Sequence, residues 1–126
     1  SNNLIYEAHE YLASGGKYEA LDPSTLPTAW GPDRVKPFVN WLRANGKKGM
    51  IGEMVVPKDA GWLKHFEETL KYISDSSDVL LSFQYWAAGP WSSGYYTDLD
   101  PDVDAKGNYI DKPQMTVMSS VYLHKE

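Results

Sequence analysis

The sequence predicts an α/β fold of parallel strands, of the kind that closes into a (β/α)8 barrel. Short apolar runs alternate three times with amphipathic segments of helical period. A strand–helix order repeated in this way joins parallel strands through crossover connections. Each apolar run also ends in polar or aromatic side chains, at the strand ends where such barrels carry their active sites.

The first unit comprises a predicted strand over residues 4–12, a loop rich in Gly, Ser and Pro over 13–32, and a helix. Asp33 is predicted to cap this helix, and Gly46 is predicted to end it. Its apolar positions recur at helical spacing and are Val35, Phe38, Val39 and Leu42.

The second unit comprises a strand over residues 48–53 and a helix over about 59–74. One apolar stripe runs along this helix and is expected to pack on the sheet. Its members are Trp62, Leu63, Phe66, Leu70 and Ile73.

The third unit comprises a strand over residues 79–86, a long loop over 87–112 and a last helix. Pro113 suits the first turn of that helix. The side chains expected to face inward are Met115, Met118, Val121 and Tyr122.

Three such units cannot close a barrel, because eight units take roughly 250 residues. The 126 residues contain 42% hydrophobic and 23% charged residues, as in an ordinary single domain. We therefore expect residues 1–126 to form one part of a barrel. Either another chain completes this barrel, or something unusual covers the open edges of the sheet.

Composition argues against several partners. The net charge is −5 and the basic residues form no stripe, so nucleic acid is not an expected partner. No apolar run approaches the roughly 20 residues of a membrane span. Cysteine is absent, which excludes disulfides and thiol chemistry.

No metal or cofactor is expected. The three histidines, His9, His65 and His124, lack the spacing of a zinc site. Alternating acidic residues at 98, 100, 102 and 104 faintly suggest calcium, but the run lacks the Gly and the final Glu of an EF-hand. A solvated acidic loop is the preferred interpretation.

The aromatic content of 13%, with five Trp and nine Tyr, has two interpretations. Large rings pack well in cores, and flat rings also stack on the apolar faces of sugars. Composition does not choose between them.

The ends of the three predicted strands do suggest a site. The first ends in His9-Glu10-Tyr11, the second in Glu53, and the third in Tyr85-Trp86. Each residue taken singly has a structural explanation, such as a solvated carboxylate or a core indole. Together they predict one rim that carries a carboxylate, an imidazole and aromatic rings.

These three segments resemble the last strands of glycoside hydrolase family 5 cellulases. Residues 5–12 resemble the sixth strand, with its His-x-Tyr motif, and residues 47–53 resemble the seventh strand, which ends in Gly-Glu. Residues 85–91 (Tyr-Trp-Ala-Ala-Gly-Pro-Trp) are similar to the eighth. Three departures from the family pattern are Glu10 for Gln, Ala13 for Asp, and Ser92 for a second Trp.

The resemblance implies the C-terminal part of a retaining endo-β-1,4-glucanase that acts on a β-glucan polysaccharide or oligosaccharide. Glu53 would be the nucleophile, and His9 and Tyr11 would hold the carboxyl groups, with Tyr11 close to Glu53. Trp86 would be the platform under the sugar beside the cleaved bond, and Trp91 a second wall. Family members of this kind are secreted.

The resemblance also implies a missing partner. The family's acid/base residue lies in an Asn-Glu pair that ends the fourth strand, and these 126 residues contain no such pair. Five other glutamates lack a preceding Asn and are not assigned this role: Glu7, Glu10, Glu19, Glu67 and Glu68. We therefore expect an N-terminal fragment of the same barrel to supply that carboxyl group.

Two alternatives stay open. The chain could be a non-catalytic half-barrel that self-associates and binds glucan through Trp86 and Trp91. The same fold could also act on mannan, xylan or mixed-linkage glucan.

Overall fold

A computed structural model of the protein describes residues 3–122. Its centre is a three-stranded parallel sheet in the order β1 (Ile5–His9), β2 (Lys48–Met54) and β3 (Leu80–Tyr85). The predicted parallel strand–helix units are therefore confirmed. β1 is shorter than the predicted 4–12, because the chain leaves the sheet after the Glu10 amide donates to the carbonyl of Glu53.

Helix α1 (Trp30–Ala44) follows three short 3-10 turns. The prediction that Asp33 caps α1 is wrong: the helix begins three residues earlier, and Asp33 lies in its first turn. Two features favour the earlier start. Pro32 suits a first turn, and the Trp30 indole donates to the carbonyl of Leu12 at 2.7 Å. At the other end, Gly46 adopts a positive φ of 58° after the helix, as predicted.

Helix α2 (Ala60–Asp75) has a side-chain cap, since the Asp59 carboxylate accepts from the amides of Gly61 (2.8 Å) and Trp62 (3.3 Å). The predicted stripe is buried apart from Leu63, which is half-buried at its edge.

Helix α3 (Pro113–Tyr122) begins at the predicted proline. Val121 is buried and Met118 packs partly buried against the core, whereas Met115 is only half-buried. Tyr122 is partly exposed and stacks on Phe83 with ring centroids 6.3 Å apart.

The three helices cover one face of the sheet. Alternate strand residues, including Tyr6, Ile51 and Phe83, point to that face and pack into a single apolar cluster. The opposite face remains exposed at β1, where Ile5 is more than half exposed. Parallel sheets are normally covered on both faces, so this arrangement is consistent with part of a closed barrel.

The long loop after β3 contains a hairpin that the sequence analysis did not predict. Strands β4 (Asp102–Val103) and β5 (Tyr109–Ile110) pair in antiparallel fashion. The Asp104 carboxylate accepts from the amides of Lys106 (2.8 Å) and Asn108 (2.9 Å), and Gly107 takes a positive φ of 83°. An Asp followed by Gly three residues later is therefore the local signal for this turn.

The cap of α2 gives a test of the helix assignments. We expect Asp59→Ala to lower the free energy of unfolding by about 1 kcal/mol, because two amides at the start of α2 lose their acceptor. The measurement is urea unfolding. Asp33→Ala is the matched control and should cost less, about 0.3–0.5 kcal/mol, because Asp33 acts only through the helix dipole and an exposed ion pair with Lys36. A larger loss for Asp33→Ala would contradict the assignment.

Candidate active site

A β-bulge in β2 determines where Glu53 points. Ala8 of β1 pairs with Ile51, but the next residue, His9, pairs with Glu53. Gly52 is therefore the extra residue. Pairing with β3 shows the same shift, since Ile51 pairs with Phe83 and Met54 with Tyr85.

The bulge reverses the alternation of side chains along β2. Without an extra residue, Glu53 would follow Ile51 onto the helix-covered face and enter the apolar core. With the bulge, Ile51 and Met54 both face the core and are fully buried, while Glu53 turns to the face of His9 and stays partly exposed.

Two donors converge on one oxygen of Glu53. The Tyr11 hydroxyl lies 2.5 Å from Glu53 Oε2, and His9 Nδ1 lies 3.2 Å from the same atom. The other ring nitrogen of His9, Nε2, lies 2.9 Å from Glu7 Oε1. Strand ends β1 and β2 thus bring together the three predicted residues His9, Tyr11 and Glu53.

The Tyr11 phenol is held in its neutral, donating form. Burial, the hydrogen bond to Glu53 and the charge of Glu53 raise the pKa of Tyr11 to about 12. A phenol that keeps its proton is a constant donor to the carboxylate beside it.

The chain beyond Glu53 is anchored from three elements. Tyr18 donates its hydroxyl proton to the carbonyl of Val55. The buried Gln114 of α3 donates to the carbonyl of Val56 at 3.1 Å. Burial raises the pKa of Tyr85, whose hydroxyl lies between the carbonyls of Thr97 (2.6 Å) and Val56 (3.2 Å). These contacts fix the end of β2 and hence the position of Glu53.

Of the other two residues of the predicted rim, Tyr85 lies elsewhere and Glu10 is partly buried. Tyr85 points to the helix-covered face and packs on Phe66 with ring centroids 6.0 Å apart, because it alternates with the residues on either side of it. Glu10 follows the end of β1, and burial raises the pKa of its carboxyl, with the Arg34 charge opposing that shift.

The predicted indoles Trp86 and Trp91 line one cavity of about 320 Å³. Trp86 is about half exposed and Trp91 fully exposed. The Trp86 amide donates to the carbonyl of Met54 at 2.9 Å, which places this residue beside the end of the strand that carries Glu53. Ser92 lines the same cavity, and so does Tyr95, which the sequence analysis missed. A Tyr-Tyr pair in a Gly-rich loop is the signal that could have indicated it.

A larger, mainly apolar cavity of about 500 Å³ lies elsewhere, lined by residues that include Tyr18, Trp62 and Tyr96. His9, Tyr11 and Glu53 do not line it. The volume of a cavity alone therefore does not indicate the site. The convergence of polar groups indicates it.

The acidic residues after Trp86 organise their own loop. Asp98 is buried, and hydrogen bonds from the amides of Asp100 (2.9 Å) and Gly94 (3.2 Å) lower the pKa of its carboxyl. Asp100 in turn accepts from the amide of Gly89 at 2.7 Å. Asp98 is thus a buried hydrogen-bond acceptor and not the solvated group expected from the sequence. The reason is that backbone amides of the Gly-rich loop donate to its carboxylate.

The described part of the chain contains neither a cluster of metal ligands nor a membrane-spanning helix. Within residues 3–122, no group of three His, Cys, Asp or Glu side chains could hold a metal ion. His124 lies outside these residues. In the same span, no helix is long and apolar enough to cross a membrane.

A parallel sheet with helices on one face, whose strand ends gather a carboxylate, an imidazole, a phenol and an indole, is typical of part of a (β/α)8 barrel. The family model for cellulase, glycosyl hydrolase family 5, matches residues 1–89. The chain belongs to this family.

Relatives share the sequence and the fold. Endo-beta-1,4-glucanase A of Emericella nidulans is 36% identical over 100 residues, which are 79% of this chain and 30% of the relative. An endo-beta-1,4-glucanase from Xanthomonas axonopodis pv. citri superimposes with a TM-score of 0.77 at 35% identity, covering 95% of this chain and 37% of that one. An endoglucanase from Pseudomonas stutzeri, solved with cellobiose, gives 0.78 at 32%, covering 95% and 35%. The chain thus spans about a third of the length of these relatives.

The contact between Tyr11 and Glu53 can be tested by titration. We expect the ultraviolet difference between the wild-type protein and Tyr11→Phe to show a tyrosine that ionises at about pH 12. Glu53→Gln should lower that value, because it removes a negative charge and leaves burial unchanged. Since the pKa is raised on folding, the stabilisation by Tyr11 is present below pH 10 and is lost as the pH rises towards 12. A Tyr11 that ionises near pH 10 in the wild-type protein would contradict the geometry.

Proposed function

We propose that this chain provides the nucleophile and part of the sugar-binding cleft of a retaining endo-β-1,4-glucanase. The observation that carries the proposal is the bulge at Gly52, which presents Glu53 to two hydrogen-bond donors beside a cleft lined by indoles. Family membership supports a glycosidase reaction, and a retaining glycosidase needs a carboxylate that attacks the anomeric carbon.

Glu53 is assigned as the nucleophile. Tyr11 and His9 both contact Oε2, so we assign the attack on the anomeric carbon to Oε1. The glycosyl-enzyme ester would form at Oε1 as the glycosidic bond breaks and the general acid protonates the departing oxygen. Meanwhile the donors on Oε2 hold the carboxylate in one orientation. Positioning of this kind lowers the entropic cost of the reaction.

The general acid/base comes from a second carboxyl group about 5–5.5 Å from Glu53. Neither glutamate of the β1 segment suits the role. Glu7 Oε1 is engaged by His9 Nε2, and Glu10 is partly buried and interacts with the charge of Arg34. We therefore propose that an N-terminal fragment of the same barrel supplies the acid/base.

The uncovered face of the sheet supports that completion. Ile5 is exposed on β1, and the free edges of the outer strands β1 and β3 are those at which further parallel strands would pair. The five remaining units of an eight-unit barrel would cover this face and close both edges.

The proposed substrate is cellulose or a related β-glucan. Trp86 would stack on the sugar beside the cleaved bond, with Trp91 and Tyr95 forming further walls of the cleft. The relative from Pseudomonas stutzeri was solved with cellobiose, which supports a β-1,4-linked glucose chain. Because an insoluble polymer cannot enter a cell, we propose that the enzyme acts outside it.

Replacement of the proposed nucleophile tests the reaction. In the complete barrel, Glu53→Gln should lower kcat for soluble cello-oligosaccharides by at least about 10³-fold, because an amide cannot form the glycosyl ester. Glu67→Gln is the matched control, since Glu67 is a partly exposed helical residue paired with Lys71, and it should keep the wild-type rate. An active Glu53→Gln enzyme would remove Glu53 from the role.

Replacement of the indoles tests the cleft. We expect Trp86→Ala to lower kcat/KM about tenfold or more, because it removes the stacking surface next to the reacting sugar. Trp91→Ala should raise KM for long oligosaccharides more than for short ones. Tyr109→Ala is the control, as Tyr109 is exposed on β5 and does not line the cavity. Equal effects of Trp86→Ala and Tyr109→Ala would contradict the assignment of the cleft.

A further inference from the structure

Glu7 is a charged residue that the proposed reaction leaves without a role. It lies on β1 two residues before His9 and therefore on the same face of the sheet. Its Oε1 lies 2.9 Å from His9 Nε2, on the side of the ring away from Glu53. His9 thus stands between two carboxyl groups, with Nδ1 directed at Glu53 and Nε2 directed at Glu7.

Gly52 makes room for this carboxyl group. A Cβ atom on Gly52 would lie 1.9 Å from Glu7 Oε1 and 2.5 Å from its Cδ, and the three atoms nearest to such a Cβ all belong to Glu7. Gly52 is not among the glycines with positive φ, so its backbone conformation is open to alanine. The missing side chain is explained by the Glu7 carboxyl group, which lies over the bulge.

The hydrogen-bonding capacities give Glu7 a specific effect on His9. An ionised carboxylate only accepts, so the ring nitrogen that faces Glu7 must donate. Glu53 is likewise an acceptor, so the ring holds both contacts only with a proton on each nitrogen, Nε2–H towards Glu7 and Nδ1–H towards Glu53. Acceptance by Glu7 also restricts rotation of the ring about its side-chain bonds. The ring edge that carries Nδ1 is then directed at Glu53.

We propose that Glu7 is a positioning residue for the reaction, and that it acts through His9 on Glu53. The Glu7 carboxyl group occupies the space that a side chain at Gly52 would fill. The inference rests on the proposed function of Glu53. It extends that function from the three residues at the rim to a fourth residue, Glu7, which lies two residues before His9 on β1. An exposed ion pair without such a role would not need a glycine opposite it.

A double-mutant cycle in the complete barrel tests the proposal. Glu7→Ala should lower kcat about 10- to 100-fold with KM unchanged within about twofold, because the carboxylate orients His9 and does not touch the sugar cleft. Gly52→Ala should cause a similar loss by displacing the Glu7 carboxylate. The double variant should be no slower than Glu7→Ala, because the added methyl group then meets no carboxylate.

A conservative variant and a spectroscopic measurement separate positioning from folding. Glu7→Gln keeps an oxygen that accepts from Nε2–H, so it should retain at least about threefold more kcat than Glu7→Ala. Nitrogen-15 NMR of the His9 ring should show a proton on both ring nitrogens in the wild-type protein and a changed proton distribution in Glu7→Ala. Thermal unfolding of each variant, with Glu67→Gln as the control, identifies any loss that is due to instability.

The outcomes distinguish this inference from the proposed function. If the wild-type enzyme is active and Glu53→Gln is not, the proposed function holds. A Glu7→Ala kcat within twofold of wild type would then overturn the inference alone. So would a double variant whose loss equals the product of the two single losses, or a folded Glu7→Gln that is as slow as Glu7→Ala.

Discussion

The extra residue in β2 is the constraint on which the site depends. Strict alternation would direct a carboxylate at position 53 into the apolar core, where burial of its charge without a partner is costly. Insertion of Gly52 keeps Ile51 and Met54 in the core and directs Glu53 to the rim. The contacts with Tyr11 and His9 follow from that change of direction. Anchors from Tyr18 and Gln114 then hold the end of the strand in place.

Much of the fold was predictable because periodicity reports packing directly. The stripe on α2 indicated which side of the helix faces the sheet, and the order of strands and helices indicated parallel pairing. The start of α1 was predicted wrongly because Asp33 belongs to a residue type that often caps helices. The hydrogen bond from Trp30 to Leu12, which favours the earlier start, joins residues distant in sequence and so has no local signal. The hairpin after β3 was missed because strands of two residues carry no period.

The residues of the site also fall into those that the sequence predicts and those that it does not. His9, Tyr11 and Glu53 could be predicted because the ends of parallel strands meet at one edge of a sheet. Glu7 could not be assigned a role, because its importance depends on a contact across strands with a residue that lacks a side chain. Tyr95 reaches the cleft through the path of a loop, and Asp98 is buried by amides of that loop. Neither the position of Tyr95 nor the burial of Asp98 follows from a periodic pattern in the sequence.

Trapping of the glycosyl-enzyme would test the position of Glu53 most directly. The complete barrel would be treated with a 2-deoxy-2-fluoro-β-cellobioside that carries a good leaving group, then digested and mapped by mass spectrometry. The bulge geometry predicts a fluoro-cellobiosyl ester on Glu53. A label on Glu7 or Glu10, or turnover of natural substrate with inversion at the anomeric carbon, would contradict it.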